Sequence, residues 1–94
     1  MFARTVTASF DVELMTELAD FGESVKDQIK SFPGLRDWRF IANAHTGQAV
    51  SFSTFDDEAA FLESKEEIDS ILSALGKFLV AKPVEILGEV VVAV

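Results

Sequence analysis

Apolar and polar positions alternate along FARTVTAS, Phe2–Ser9, along RDWRFIANA, Arg36–Ala44, and along QAVSFSTF, Gln48–Phe55. A period of two predicts strands with one face turned to a core. On the first strand Phe2, Val6 and Ala8 share a face with Arg4, and Ala3, Thr5, Thr7 and Ser9 take the other. On the second, Trp38, Phe40 and Ala42 oppose Asp37, Arg39, Ile41 and Asn43. On the third, Val50 and Phe52 oppose Ser51 and Ser53, so Phe52 is expected on the core side with Trp38 and Phe40. His45-Thr46-Gly47 reads as the hairpin turn between the second and third strands.

Elsewhere the period lengthens to three and four. Leu14, Leu18, Phe21, Val25, Ile29 and Phe32 form one apolar helical stripe. Asp11 is placed to cap that helix, Phe10 and Met15 to staple it, and Pro33-Gly34 to end it. Gly22 inside the stripe either permits close packing or weakens the helix by about 1 kcal/mol. Ile68, Ile71, Leu72, Leu75 and Phe78 form a second stripe. Asp56 or Thr54 is expected to cap this second helical region, with a break at Ser64, where Ser64 and Glu67 have capping-box spacing. PVEILGEVVVAV, Pro83–Val94, completes the pattern as a last strand interrupted at Gly88 by a bulge.

The order β-α-β-β-α-β in one domain, residues 1–94, predicts an α+β ferredoxin-like sandwich. It has a four-stranded antiparallel sheet, both helices on one face, the first and third strands central and the last at an edge. On the last strand Ile86, Val90 and Val92 are read as facing the helices. Leu87, Val91 and Ala93 then point to the open face. Fully burying a valine or leucine is worth roughly 1.5–3 kcal/mol, and an uncovered apolar edge invites aggregation. The economical solution is a homodimer, sheet face on sheet face, with Leu87, Val91 and Ala93 at the interface. The alternative is a frayed end that tolerates exposed valines.

The composition narrows the function. A net charge of −8 with eight scattered Lys and Arg argues against nucleic acid and anionic membrane surfaces. The absence of cysteine removes disulfides and thiolate chemistry. No apolar run reaches the roughly 20 residues of a membrane span, and the start of the chain lacks a signal-peptide pattern, so the expected compartment is the cytoplasm. No cofactor or metal is expected, since no glycine-rich phosphate loop is present and the acidic run Glu66–Asp69 has no His or Cys nearby.

The segments FPGLRDW, VSFSTF and FDDEAAFLES, followed by the closing apolar strand, resemble the dimeric α/β-barrel superfamily, and within it antibiotic-biosynthesis-monooxygenase-type domains. The resemblance covers the whole chain. It implies a homodimer built through the sheets. It also implies functions ranging from cofactor-independent oxygenation of aromatic compounds to haem degradation and to roles never assigned, so the fold alone leaves the chemistry open. Haem-degrading members combine Asn, Trp and His. Here Asn43, Trp38 and His45 crowd one hairpin, and that role does not carry over.

The candidate ligand residues are Trp38, Arg39, Asn43 and Phe52. Trp38 is either a stacking platform or a core residue. Arg39 and Arg4 are suited to a carboxylate, or to plain ion pairs such as Arg36–Asp37. Thr5, Thr7, Ser9, Ser51 and Ser53 are expected to make a semi-polar open face. His45 is expected to be an exposed turn residue. Three functions follow: a protein binding a small apolar or aromatic molecule, a cofactor-independent monooxygenase acting on an aromatic or polyketide-like substrate, and a non-catalytic assembly module.

Overall fold

The first strand, β1 (Phe2–Ser9), buries Phe2, Arg4, Val6 and Ala8 and leaves the intervening positions more open. In the computed structural model, which describes all 94 residues, it is followed by α1 (Met15–Lys30), β2 (Leu35–Ala42), β3 (Gln48–Phe55), α2 (Glu58–Glu63), α3 (Lys65–Leu75) and β4 (Val84–Glu89). Short 3-10 turns at Val12–Leu14 and Gly76–Phe78 lead into α1 and follow α3. The strands pair antiparallel in the order β2-β3-β1-β4. This is the ferredoxin-like arrangement, with β1 and β3 central and β4 at an edge.

Local chemistry sets the element ends. The Asp11 carboxylate accepts from the Glu13 amide at 3.0 Å at the head of the 3-10 turn before α1. Phe10 is buried in a cluster against which Met15 packs, as a staple requires. The second helical region is capped by Asp57, which accepts from the Ala60 amide at 2.8 Å, and not by Asp56 or Thr54. Asp56 instead receives the Arg36 guanidinium at 2.6 Å, so Arg36 pairs with Asp56 and not with its neighbour Asp37. The helix does break at Ser64, although the Ser64 hydroxyl makes no capping bond.

Two strands run with the opposite parity to the one their sequence suggests. On β3 the cross-strand partners put Ala49, Ser51, Ser53 and Phe55 toward the helices, while Val50 and Phe52 lie on the open face beside Thr7 and Thr5. Buried Phe55 sets this register, and a one-residue slip would expel it. On β4, Glu85, Leu87 and Glu89 pair with Val6, Arg4 and Phe2 and share their helix-side face, while Val84 and Ile86 pair with Thr7 and Thr5 on the open face. Leu87 is therefore not on the open face. β4 is continuous through Gly88, without the expected bulge, and ends at Glu89; Val91 and Val92 lie beyond it, fully exposed. The irregularity falls in β2 instead, between Leu35 and Asp37. That bulge lets Leu35 and Trp38, three residues apart, both face the helices.

The core is in two parts. Phe2, Ile29, Phe32, Phe55, Phe61 and Ile68 pack at one end, and Phe10, Leu18, Ala49, Leu75 and Phe78 at the other. The space between them is the feature that positions the site.

Candidate functional site

The gap in the core exists because small residues stand where large ones would close it. Ser51 and Ser53 of β3 lie under the helices, and Gly22 of α1 lies over Phe40. A Cβ on Gly22 would sit 3.4 Å from the Phe40 ring, an ordinary contact distance, so close packing does not require the glycine. The result is a half-open cavity of about 70 Å³ lined mostly by apolar side chains from α1, α3 and the sheet, including Phe21, Val25, Ile71 and Leu72.

Its polar fittings are few. Trp38 stacks on Phe40, with ring centroids 6.5 Å apart and planes 6° from parallel, and its indole N–H donates to Ser51 Oγ at 3.1 Å. Arg4 is only 7% exposed. Its Nε donates to Glu85 at 2.6 Å, and the Glu85 carboxylate reaches partly into solvent. Arg4 Nη2 is the one buried side-chain polar atom in the protein without a hydrogen-bond partner, an exceptional state for a charged group.

An open groove of about 670 Å³ runs outside the cavity between α1 and β2. Gly22, Ile29, Leu35, Trp38 and Phe40 line both spaces, so they form the wall between groove and cavity. A volume of 70 Å³ is less than the roughly 150 Å³ that holds benzene in an engineered core. A ring-sized ligand therefore requires this wall to give way toward the groove.

Of the four ligand residues expected from sequence, only Trp38 lines the cavity. Arg39 lies on the open face next to Phe52 and pairs with Asp37 at 3.5 Å. Phe52 is on that open face, opposite Trp38 and Phe40. Asn43 holds the hairpin turn, its Oδ1 accepting from the amides of His45 and Thr46 at 2.8 and 3.0 Å. His45 is exposed in that turn. The four are thus not brought together, and Ser51 and Ser53 belong to the cavity and not to the open face. Arg4 had a visible signal: it is the charged residue in the apolar row of a central strand.

No three His, Cys, Asp or Glu side chains converge to hold a metal ion. Lys26 and Lys65 have raised pKa values, caused first by hydrogen bonds to Glu23 and Asp69 and then by the charge of those carboxylates. Both lysines are at the surface. The cavity wall thus offers a stacking surface, two hydroxyls and a guanidinium, but no imidazole or carboxylate to act as a base.

The architecture is the ferredoxin-like α+β fold, shared with solved structures of antibiotic biosynthesis monooxygenases. The structure of Rv0793 from Mycobacterium tuberculosis superposes with a TM-score of 0.80 at 13% identity, covering 98% of this chain and 96% of that one. An antibiotic biosynthesis monooxygenase gives 0.77 at 12% identity, covering 97% and 99%. The monooxygenase from the gene ActVA-Orf6 of Streptomyces coelicolor, solved in complex with the ligand Nanaomycin D, gives 0.78 at 18% identity, covering 99% and 89%. No protein-family model matches the sequence, and no curated protein matches it. No helix is long and apolar enough to cross a membrane.

Proposed function

We propose that this chain is a homodimeric protein that binds one small apolar or aromatic molecule between its helices and its sheet. The observation that carries this reading is the gap in the core, walled by Trp38 and Phe40 and fitted with a buried, incompletely bonded Arg4. Protein cores have few voids and few orphaned buried donors, and here the two coincide. The ligand enters from the groove between α1 and β2 by displacing the shared wall.

The homodimer reading rests on the open face. Ile41, Phe52, Val84 and Ile86 are exposed there on three strands. A second copy of the same face covers them, with Val91 and Ala93 reaching onto the partner, while Leu87 stays on the helix side. Sedimentation at micromolar concentration tests it. The wild type is expected at twice the chain mass, and the double variant Phe52→Lys, Ile86→Lys at the single-chain mass. A single-chain wild type overturns the homodimer.

A second reading, a cofactor-independent monooxygenase acting on an aromatic or polyketide-like substrate, is favoured by the shared fold with a monooxygenase that holds Nanaomycin D. In this reading the electron-rich substrate reacts with oxygen directly while the cavity orients it. The lack of a base in the cavity favours binding alone. Oxygen consumption separates the two: ligands that bind without consuming oxygen support the first reading, and turnover without added cofactor supports the second.

A further inference from the structure

The helix-side face of the sheet carries one row that crosses all four strands. Trp38 of β2 pairs with Ser53 of β3, Ser53 with Arg4 of β1, and Arg4 with Leu87 of β4. Two strand spacings separate Trp38 from Arg4, about 10 Å between their backbones. Both line the cavity, so the row carries an aromatic side chain at one end, its indole turned to Ser51, and a guanidinium at the other, turned to Glu85.

The charge at that end is already matched. Arginine stays protonated at any accessible pH, and Glu85 neutralises it through a 2.6 Å contact to Nε. Lys65, whose titration responds to both charges, is itself paired with Asp69 at 2.6 Å. What Arg4 lacks is an acceptor for Nη2 and not a counter-ion. A carboxylate placed there would add an uncompensated negative charge to an apolar cavity, which is costly. A neutral carbonyl oxygen supplies the missing acceptor and adds no charge.

We infer that the cavity selects a small, single-ring, uncharged ligand bearing a carbonyl oxygen, which accepts from Arg4 Nη2 while the ring packs against Trp38 as that side chain gives way toward the groove. This inference rests on the small-molecule-binding reading above and names the ligand class for that site.

Three matched probes test it: acetophenone, isopropylbenzene, a hydrocarbon of similar size without the oxygen, and benzoate, which carries the charge. Affinities are read by NMR titration, following the Arg4 side-chain Nε–H and the methyl groups of Val25, Ile71 and Leu72. Acetophenone is expected to bind about tenfold or more tighter than the other two, the size of a hydrogen bond to a charged donor. Arg4→Met, checked for its fold by circular dichroism, is expected to bring ketone and hydrocarbon within about twofold by removing that donor. Glu85→Gln keeps Arg4 and removes its counter-charge, and is expected to raise benzoate affinity about tenfold relative to acetophenone. Its result stands even if Arg4→Met does not fold.

Equal binding of acetophenone and isopropylbenzene by the wild type overturns the inference while leaving the cavity a binding site. Tighter binding of benzoate than of acetophenone overturns the charge argument and the inference with it. Binding of none of the three, with no shift at Val25, Ile71 or Leu72, overturns the small-molecule reading itself.

Discussion

Gly34 is the residue at which the chain tolerates least. Its φ is +72°, in the left-handed region, and a Cβ there would come 2.6 Å from the Cβ of Ala60. Left-handed backbone alone costs a side chain roughly 1–2 kcal/mol, and neither methyl carbon can rotate away from the other. Gly34→Ala is expected to lower stability by about 2 kcal/mol or more, read as a fall in denaturant midpoint. Ser53 gives the opposite case. It is buried on a strand, beside empty space. Ser53→Val suits the strand and fills part of that space, so stability is expected to hold or to rise by up to about 1 kcal/mol. Ligand affinity is expected to fall about tenfold or more. A valine variant that binds as well as the wild type would place the ligand elsewhere. His45 was legible as a turn residue from Thr46-Gly47 alone. Arg4 was legible as an oddity but not as a cavity residue, because the partner it lacks is a property of three dimensions.

The helices were plain in the sequence because their stripes repeat over many residues, and each added apolar position confirms the same face. Even the break at Ser64 showed, through the capping-box spacing of Ser64 and Glu67, although the Ser64 hydroxyl makes no capping bond. The cap of the helix before the break did not, since DD offers two adjacent carboxylates and only the fold decides which meets the helix amides. Asp57 holds that place, and Asp57→Ala is expected to cost about 1 kcal/mol. Asp56→Ala removes only an exposed ion pair with Arg36, and is expected to cost less than about 1 kcal/mol; paired denaturant curves compare them. The strands were harder. On β3 the larger residues, Val50 and Phe52, suggested the buried row, but the true row ends in Phe55 and is otherwise small because it floors a cavity. On β4 both rows carry apolar residues, so the alternation was ambiguous. Two glutamates sit on its helix-side row because the edge of the sheet is thinly covered and Arg4 draws Glu85 in. These parity reversals moved Phe52 out of the expected site and Ser51 and Ser53 into it.

For the molecule as a whole, 94 residues bury little surface, and the two-part core buries less than a continuous one would. In the proposed homodimer, pairing through the open face would offset this. Linkage then couples folding to association, so the melting temperature of the wild type is expected to rise with protein concentration, while that of the Phe52→Lys, Ile86→Lys variant stays constant. Two chains that each carry a net charge of −8 also repel one another. Added salt screens that repulsion and is expected to tighten the wild-type association, the reverse of its effect on an interface held by opposite charges.

The aromatic wall has a practical consequence. Trp38 is the chain's single tryptophan and no tyrosine accompanies it, so the near-ultraviolet emission of the folded protein comes almost wholly from one indole on the wall of the cavity. Any molecule that displaces that wall changes the polarity around the indole and disturbs its bond to Ser51. Intrinsic fluorescence is therefore a label-free optical reporter of occupancy, suited to screening compound libraries without first engineering a dye into the chain.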